Sequence, residues 1–585
     1  MHFFPCRACT CDFVVVLMSF ISRMRGGILS IVAGAFSPAI ADPSTLVPRT
    51  APRGVGPFAA FSRAPPPTVQ SLPLEGLEAG GVGSRGAAGA SKFGGAFVSV
   101  SSYPANAPIE DRFDVREPSA RALSATTARN DGSPVLLAAV LDGHGGWQAA
   151  EYARRSLLSA ADAELAALDS TTIMQRPVAI GRALARAFLT TDRDLLNALR
   201  PAFAMGFGDL AHVGACALAA VITPSHVVVA NAGDCRAVLG RLTTRKPAAV
   251  ARDDEHLDGH AAAAAALSDG SAGVETVTAA DGVNFTVLPE PVWRWQRLAS
   301  SETGLASSDD AGASAAIIGR PGAAAVESSI FFAAIPMSLD NNAREARERA
   351  RLTSEHPGEA DIVVCKKDSP NACYVKARLQ PTRALGDAYL KDATFNAPAS
   401  GGRQWGRHIK SPYTPPYISS TPEVRVQALG SADNSTGWFA SLISGGGAAT
   451  DGRAGAFLIL ACDGVWDVLT NEEAVAFVAR HVAAGAASAA DAHAAASEGG
   501  ASEETMMAAA RNAAEAHLSA AAERLGAHVL AKTASGEGFP LRFLLDMKPG
   551  KSGRRDVHDD ITIVIAFLDG SEGVANLGIG RGAAA

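Results

Sequence analysis

Three strongly apolar runs in this chain each meet an acidic residue at one end, and this pattern narrows the possible folds more than any other feature. Residues 135–141 run into Asp142, residues 457–462 run into Asp463, and Asp559 and Asp560 stand immediately before the run 561–567. Short continuous apolar runs bounded by turn residues read as strands buried on both faces. Strands of a common sheet structure bring such ends together. Carboxylates gathered at one sheet edge repel each other unless protons or cations compensate, and hard oxygen donors without a Cys or His cluster beside them suit Mg²⁺ or Mn²⁺. Any one Asp-Gly step is a sufficient turn signal in its own right. Only the recurrence points to a shared site.

Between these runs the ordered signals alternate. Asp142-Gly143-His144-Gly145-Gly146 forms a tight turn after the first strand, and residues 147–168 have helical character. Leu184, Phe188, Leu195 and Leu199 share one helical face, while 217–222 and 227–231 read as paired strands. Thr470 with Glu473 three residues on is a capping-box start for a helix through Val482. Strands and helices without a regular βαβ alternation predict an α+β fold, a sheet-based core covered by helices.

Composition separates core from padding. The 585 residues include 57 Gly and 32 Pro, yet 48% are apolar and 19% charged, which supports a sizeable core. With 52 basic against 59 acidic residues, a formal charge of -7, the chain lacks the broad positive field of a nucleic-acid binder. Residues 1–41 read as a targeting segment: Arg-bearing and acid-poor, as transit peptides are, with a secretory signal as the rival reading. Its apolar runs fall short of the roughly 18 to 20 residues of a spanning helix, so no membrane span is predicted. Residues 42–95 read as a Pro/Gly/Ala-rich linker, 96–568 as the functional domain with low-complexity insertions near 241–330 and 484–525, and 569–585 as a flexible tail. The second insertion is read as partly helical around 503–530.

Eight cysteines in so long a chain do not make a disulfide scaffold, and a reducing compartment is the simpler reading. Cys6, Cys9 and Cys11 lack the second ligand cluster of a zinc site. The acidic cluster of Asp253, Asp254 and Glu255 with His256 and His260 is read as a solvated loop, because no strand ends frame it.

The ordered motifs Ile109-Glu110-Asp111, Asp142-Gly143-His144-Gly145-Gly146, Asn231-Ala232-Gly233-Asp234-Cys235-Arg236, Arg383-Ala384-Leu385-Gly386-Asp387, Asp463-Gly464-Val465-Trp466-Asp467 and Asp559-Asp560-Ile561-Thr562 resemble those of the metal-dependent protein phosphatases of the PP2C (PPM) family. The resemblance spans about residues 96–568. It implies a β-sandwich of two antiparallel sheets flanked by helices, with a binuclear Mg²⁺/Mn²⁺ site at one end, and phosphoserine or phosphothreonine of a phosphoprotein as substrate. A closer resemblance is to the pyruvate dehydrogenase phosphatase branch, carried by residues 104–112, by Asn342-Ala343 with Glu345, Arg349, Glu355, His356 and Pro357, by 379–384, and by 413–417 with Pro422-Glu423-Val424. That branch implies the E1 component of pyruvate dehydrogenase as substrate, the mitochondrial matrix as location, and docking to a lipoyl domain with calcium assisting. A phosphatase with another substrate and a pseudophosphatase scaffold are the alternatives.

By resemblance, Asp142 bridges two metals, the Gly143 carbonyl holds one, and Asp463 and Asp559 hold the other. Glu110 and Asp111 order water around the ions, and His144 is the general acid for the leaving oxygen. Asp234 either contributes to a weaker third metal site or caps a turn. Most relatives carry an arginine four residues before the motif glutamate; here Asn106 occupies that substrate-phosphate position, as in the closer branch. Arg112 is left open between a solvated charge and a structural partner, and Gly386-Asp387 is read mainly as structural. The segment Gly214-Ala215-Cys216-Ala217 departs from the family's Ser/Thr-rich strand without removing a ligand.

Overall fold

In a computed structural model the chain is described over residues 87–93, 96–119, 136–168, 177–223, 225–243, 275–278, 284–287, 294–297, 331–367, 369–396, 408–429 and 456–568. Two sheets stack face to face. The first has the order β1 (Ala87–Phe93), β2 (Ala96–Tyr103), β17 (Ile561–Phe567), β16 (Phe457–Ala461), β7 (Arg236–Thr243), β11 (Phe331–Pro336) and β10 (Arg294–Arg297). The second runs β3 (Arg112–Arg116), β4 (Leu136–His144), β5 (Gly214–Ile222), β6 (His226–Ala232), β15 (Glu423–Ala428), β9 (Asn284–Val287) and β8 (Glu275–Thr278), with β14 (Leu385–Gly386) also pairing β5. Pairing is antiparallel throughout except between β9 and β15. The predicted α+β sandwich of antiparallel sheets flanked by helices is the fold observed.

Alternation along each strand explains why the runs look continuously apolar. In β4, Leu136, Ala138 and Val140 enter the core between the sheets, where Leu218, Leu458 and Val564 meet them. Leu137, Ala139 and Leu141 point the other way, into a core with helices α1 (Gln148–Leu165) and α2 (Pro177–Ala204). In β17, Val564 and Ala566 face the inter-sheet core while Ile561, Ile563, Ile565 and Phe567 face helices on the outer side. Helices on both outer faces bury each central strand twice over, so an antiparallel sheet acquires the continuous pattern usual for parallel ones.

The flanking helices correct the expected boundaries. Helix α6 (Asn471–Glu498) starts at the predicted capping box, with the Thr470 side chain accepting from the Glu473 amide and the Glu473 carboxylate accepting from the Thr470 amide. It continues past Val482 to Glu498, and α7 (Glu503–Ser519) and α8 (Ala521–Gly536) follow, where helical character was read around 503–530, so most of 484–525 belongs to a helical layer. Ala489, Ala510, Ala514 and Leu518 are buried in it. Alanine is both a marker of low complexity and the best helix former. Likewise β1 lies inside the span read as linker, because an edge strand is recruited by backbone pairing to β2, from Ala87 opposite Ser102 to Phe93 opposite Ala96. The 241–330 span supplies β8, β9 and β10 to the sheet edges.

One disulfide occurs among the described residues. Cys365 and Cys373 face each other in the hairpin of β12 (Val363–Lys366) and β13 (Ser369–Val375) and are bridged. This pair runs against the expectation drawn from a reducing compartment. Cys216, Cys235 and Cys462 are buried free thiols, as their apolar settings imply. The residues 1–86, the clusters at Cys6 to Cys11 and at Asp253 to His260, and the tail 569–585 lie outside the described residues. No helix among the described residues is long and apolar enough to cross a membrane.

Arg112, left open by the sequence, has a structural partner. It is buried, its Nε donates to Glu151 of α1 at 2.9 Å, and its Nη1 donates to the carbonyls of Ile109 and Asp111. Burial alone raises the Glu151 carboxyl, but hydrogen bonds and charge from Arg154 and Arg155 prevail and bring it down to about 2. A folded-state value below the ordinary 4.5 means that this contribution to stability is complete above that pH and is lost as pH falls through about 2. Urea midpoints of wild type and Glu151→Gln are therefore expected to differ most near neutral pH and to converge on acidification from 5 to 2. A gap independent of pH counts against the ion pair as its source.

Candidate functional site

Register brings the site together. Strand β4 pairs with β5 so that Asp142 faces Cys216, Gly143 faces Ala215 and His144 faces Gly214, while β14 adds Gly386 opposite Gly214 from the other side. Next, β5 pairs with β6, whose end delivers Asp234 in the turn before β7. The short helix α5 (Asp463–Trp466) begins at Asp463 directly after β16, and Asp559 and Asp560 precede β17. Carboxylate oxygens of Asp142, Asp234 and Asp463 then lie within 4.8 Å of one another. Three acids from far-separated stretches of chain form one cluster.

The electrostatics are those of crowded like charge. Burial, followed by the charges of Asp111, Asp559 and Asp234, pushes the Asp142 carboxyl well above the usual carboxylate range, against a hydrogen bond from Asp463. Burial and then Asp142, Asp234 and Asp559 do the same to Asp463. Asp111 is raised by burial and by Asp560, and Glu110 is pushed up to about 7 by burial, Asp560 and Asp559. Asp463 Oδ1 and Asp111 Oδ2 are buried without a hydrogen-bond partner among the described residues. Buried, unpartnered anionic oxygens at this density fit a set of hard divalent cations, which compensate charge and fill lone pairs together.

The predicted residues divide. Asp142, Asp463 and Asp234 make the close trio. Asp234, for which a turn cap was the alternative, is buried and held at Oδ1 by the Cys216 thiol at 3.0 Å and at Oδ2 by the Asn342 amide at 2.7 Å. Asp559 raises its neighbours' values but is outside the trio, with Oδ2 2.7 Å from Arg555 Nη2. Gly143 is required by close approach, since a Cβ there would sit 2.5 Å from the Glu110 carbonyl oxygen. Asn106, expected at the substrate phosphate, spends its amide on Asp560 Oδ2 at 3.1 Å and Asp559 Oδ1 at 3.5 Å.

Two residues carry more than the sequence assigned to them. Asp560 accepts from the backbone amides of Ala105, Asn106 and Glu110 at 2.6 to 2.8 Å, and so fixes the loop that carries Glu110 and Asp111. The tandem Asp559-Asp560 was the available signal, because adjacent residues at a strand start point to opposite sides. Asp387, read as structural, is buried in a left-handed conformation (φ 51°) with Oδ2 2.8 Å from His144 Nε2. Gly214 makes room for the pair: a Cβ there would lie 2.1 Å from Asp387 Oδ2 and 2.3 Å from His144 Nε2. The small residues of 214–217 thus admit the His144–Asp387 contact and place the Cys216 thiol on Asp234.

Burial works to lower the His144 pKa, but the charge of Asp387 and its hydrogen bond raise it above the ordinary 6.5. Removing that charge reverses the shift. In the metal-free protein, the His144 ring protons followed by NMR are expected to titrate at lower pH in Asp387→Asn than in wild type. An unchanged titration means that the pair does not set the protonation of His144.

The family model for Protein phosphatase 2C matches residues 114–256 and 448–518. Probable protein phosphatase 2C 36 of Oryza sativa subsp. japonica is 26% identical over 233 residues, covering 40% of this chain and 44% of that protein. Probable protein phosphatase 2C 67 of Arabidopsis thaliana is 24% identical over 472 residues, covering 80% of this chain and 83% of that protein. The chain therefore spans under half the length of the first relative and most of the second. Among solved structures, the serine-threonine phosphatase 2C from Toxoplasma gondii aligns at 12% identity and a TM-score of 0.32, covering 83% of this chain and 99% of that one.

Proposed function

We propose that this chain, which carries a domain of the protein phosphatase 2C family, is a metal-dependent protein serine/threonine phosphatase. The observation that carries the reading is the trio Asp142, Asp234 and Asp463, whose oxygens crowd within 4.8 Å at the end of the sandwich. These three, with Asp559 and the Gly143 carbonyl, would hold Mg²⁺ or Mn²⁺. Such cations neutralise charge on a phosphoryl group and lower the pKa of a water so that it attacks phosphorus in line.

The chain's own residues supply the rest. Glu110 and Asp111, fixed through Asp560, border the site with acceptors that orient water. Asp387 holds one nitrogen of His144, so the ring presents its other nitrogen as an acid for the serine or threonine leaving oxygen. The charge of Asp387 and its hydrogen bond raise the His144 pKa above the ordinary imidazole value, which favours the protonated ring that an acid needs. A regulatory scaffold without activity would have no use for such a costly concentration of buried like charge.

Metal-dependent release of phosphate from a phosphoserine peptide is expected of the wild-type chain, with a loss of at least about a hundredfold in Asp142→Asn or Asp463→Asn, on the scale of removing a principal catalytic group. Full activity in either variant overturns the reading.

Within this activity, we assign the phosphoserine of the pyruvate dehydrogenase E1 component as substrate and the mitochondrial matrix as location, with a lipoyl domain as docking partner. Support comes from the four segments of closer resemblance and from the Arg-bearing, acid-poor residues 1–70. The Cys365–Cys373 bridge favours a secretory destination instead, which imaging of a fusion retaining residues 1–70 separates from the matrix. Intact phosphorylated pyruvate dehydrogenase complex is expected to lose phosphate about tenfold faster than an unrelated phosphoprotein, the advantage that docking supplies by raising local concentration. Equal rates remove the substrate assignment and leave the phosphatase.

A further inference from the structure

We propose that Arg555 is the residue that grips the substrate phosphate at the mouth of the carboxylate cluster, an inference that rests on the phosphatase reading. Arg555 lies in the short 3₁₀ turn Arg554–Asp556 that leads into Asp559 and β17. Its tandem neighbour Arg554 turns inward, is buried, and donates to the carbonyls of Pro104 and Leu545. Arg555 turns outward, with its side chain 40% exposed and Nη2 on Asp559 Oδ2.

The other arginines at this end are committed elsewhere. Arg112 is locked on Glu151 and two backbone carbonyls. Arg236 is bidentate on buried Asp340, and Arg344 donates to the same carboxylate and faces Glu345 at 4.0 Å and Asp467 at 3.8 Å, so acids occupy both. Asn106 has given its amide to Asp559 and Asp560, and as a neutral group it supplies no charge. Arg555 is set at this end of the molecule by its contact with Asp559 Oδ2 at 2.7 Å, and its charge and that of His144 both act on Glu110. A phosphomonoester dianion entering between them meets a guanidinium fork with donors to spare. Asp559, once it shares its charge with a cation, holds the arginine less tightly and leaves the fork to the phosphate oxygens.

The test uses the full chain at saturating Mn²⁺ with a phosphoserine peptide, and inorganic phosphate as the product inhibitor. For Arg555→Ala, KM and the inhibition constant of phosphate are both expected to rise about tenfold while kcat changes less than about threefold, the scale of one lost charge-assisted fork. Mn²⁺ binding by calorimetry without substrate is not weakened, since Asp559 loses a competing cation, and Arg555→Lys recovers only part of the KM loss, because a point charge lacks the fork. Unchanged KM and phosphate inhibition in Arg555→Ala overturn the proposal. So does weaker Mn²⁺ binding with unchanged phosphate inhibition at saturating metal, which makes Arg555 a holder of Asp559. A rise in peptide KM without a change in phosphate inhibition also overturns it, placing the contact on the peptide. A wild-type chain without metal-dependent turnover removes the phosphatase reading and this assignment with it, whereas an active wild type with a silent Arg555→Ala removes the assignment alone.

Discussion

Mutual repulsion among buried and half-buried carboxylates is the constraint around which this molecule is arranged. Asp142, Asp234 and Asp463 approach within 4.8 Å, and Asp111 and Asp559 add to the same field. Taking such groups out of water costs several kcal/mol each unless charge is compensated. The cohesion that holds them there comes from elsewhere: three apolar cores, one between the sheets and one beneath each helical layer. The ladder of β4, β5 and β6 sets Asp142 against Asp234, while Asp463 follows β16 of the other sheet and is brought to them by the core between the two sheets.

Around this floor, buried ion pairs act as locators. Arg112 ties the loop of Glu110 and Asp111 to α1 through Glu151. Arg236 holds Asp340, and Arg383 reaches both Glu348 of α3 (Ala346–Glu355) and Glu423 of β15. Such pairs gain little net stability over apolar replacements, but breaking one leaves an uncompensated buried charge, which makes their geometry specific. The segments 342–357, 379–384 and 413–424 meet in this network: Thr382 donates to Glu348, and His356 contacts Thr414 and the Pro416 carbonyl.

Legibility varied with the kind of signal. The strands of 136–141, 457–461 and 561–567 were readable because they are buried on both faces, and the start of α6 because a capping box is local chemistry. The edge strand β1 and the strands within 241–330 were not, since partner pairing across the chain decides an edge. The alanine-rich 484–525 was legible as helix only around 503–530, because composition does not show how far a helix extends until a surface exists to bury one face. In the site, the acids were visible as strand-end residues, whereas Asp387 and Asp560 were not, because their roles are defined by a histidine and a loop brought from hundreds of residues away.

By itself, then, the chain's order of residues determined which segments become buried strands, which acids stand at their ends, and where a major helix begins, since these follow from burial periodicity and local hydrogen bonding. Tertiary structure alone decided that Asp234 joins the close trio while Asp559 turns to Arg555, that Asn106 is occupied by Asp560, and that Gly214 admits the contact between His144 and Asp387. Those outcomes depend on register and on distances of a few ångströms between remote segments, and no pattern of neighbours along a chain contains them.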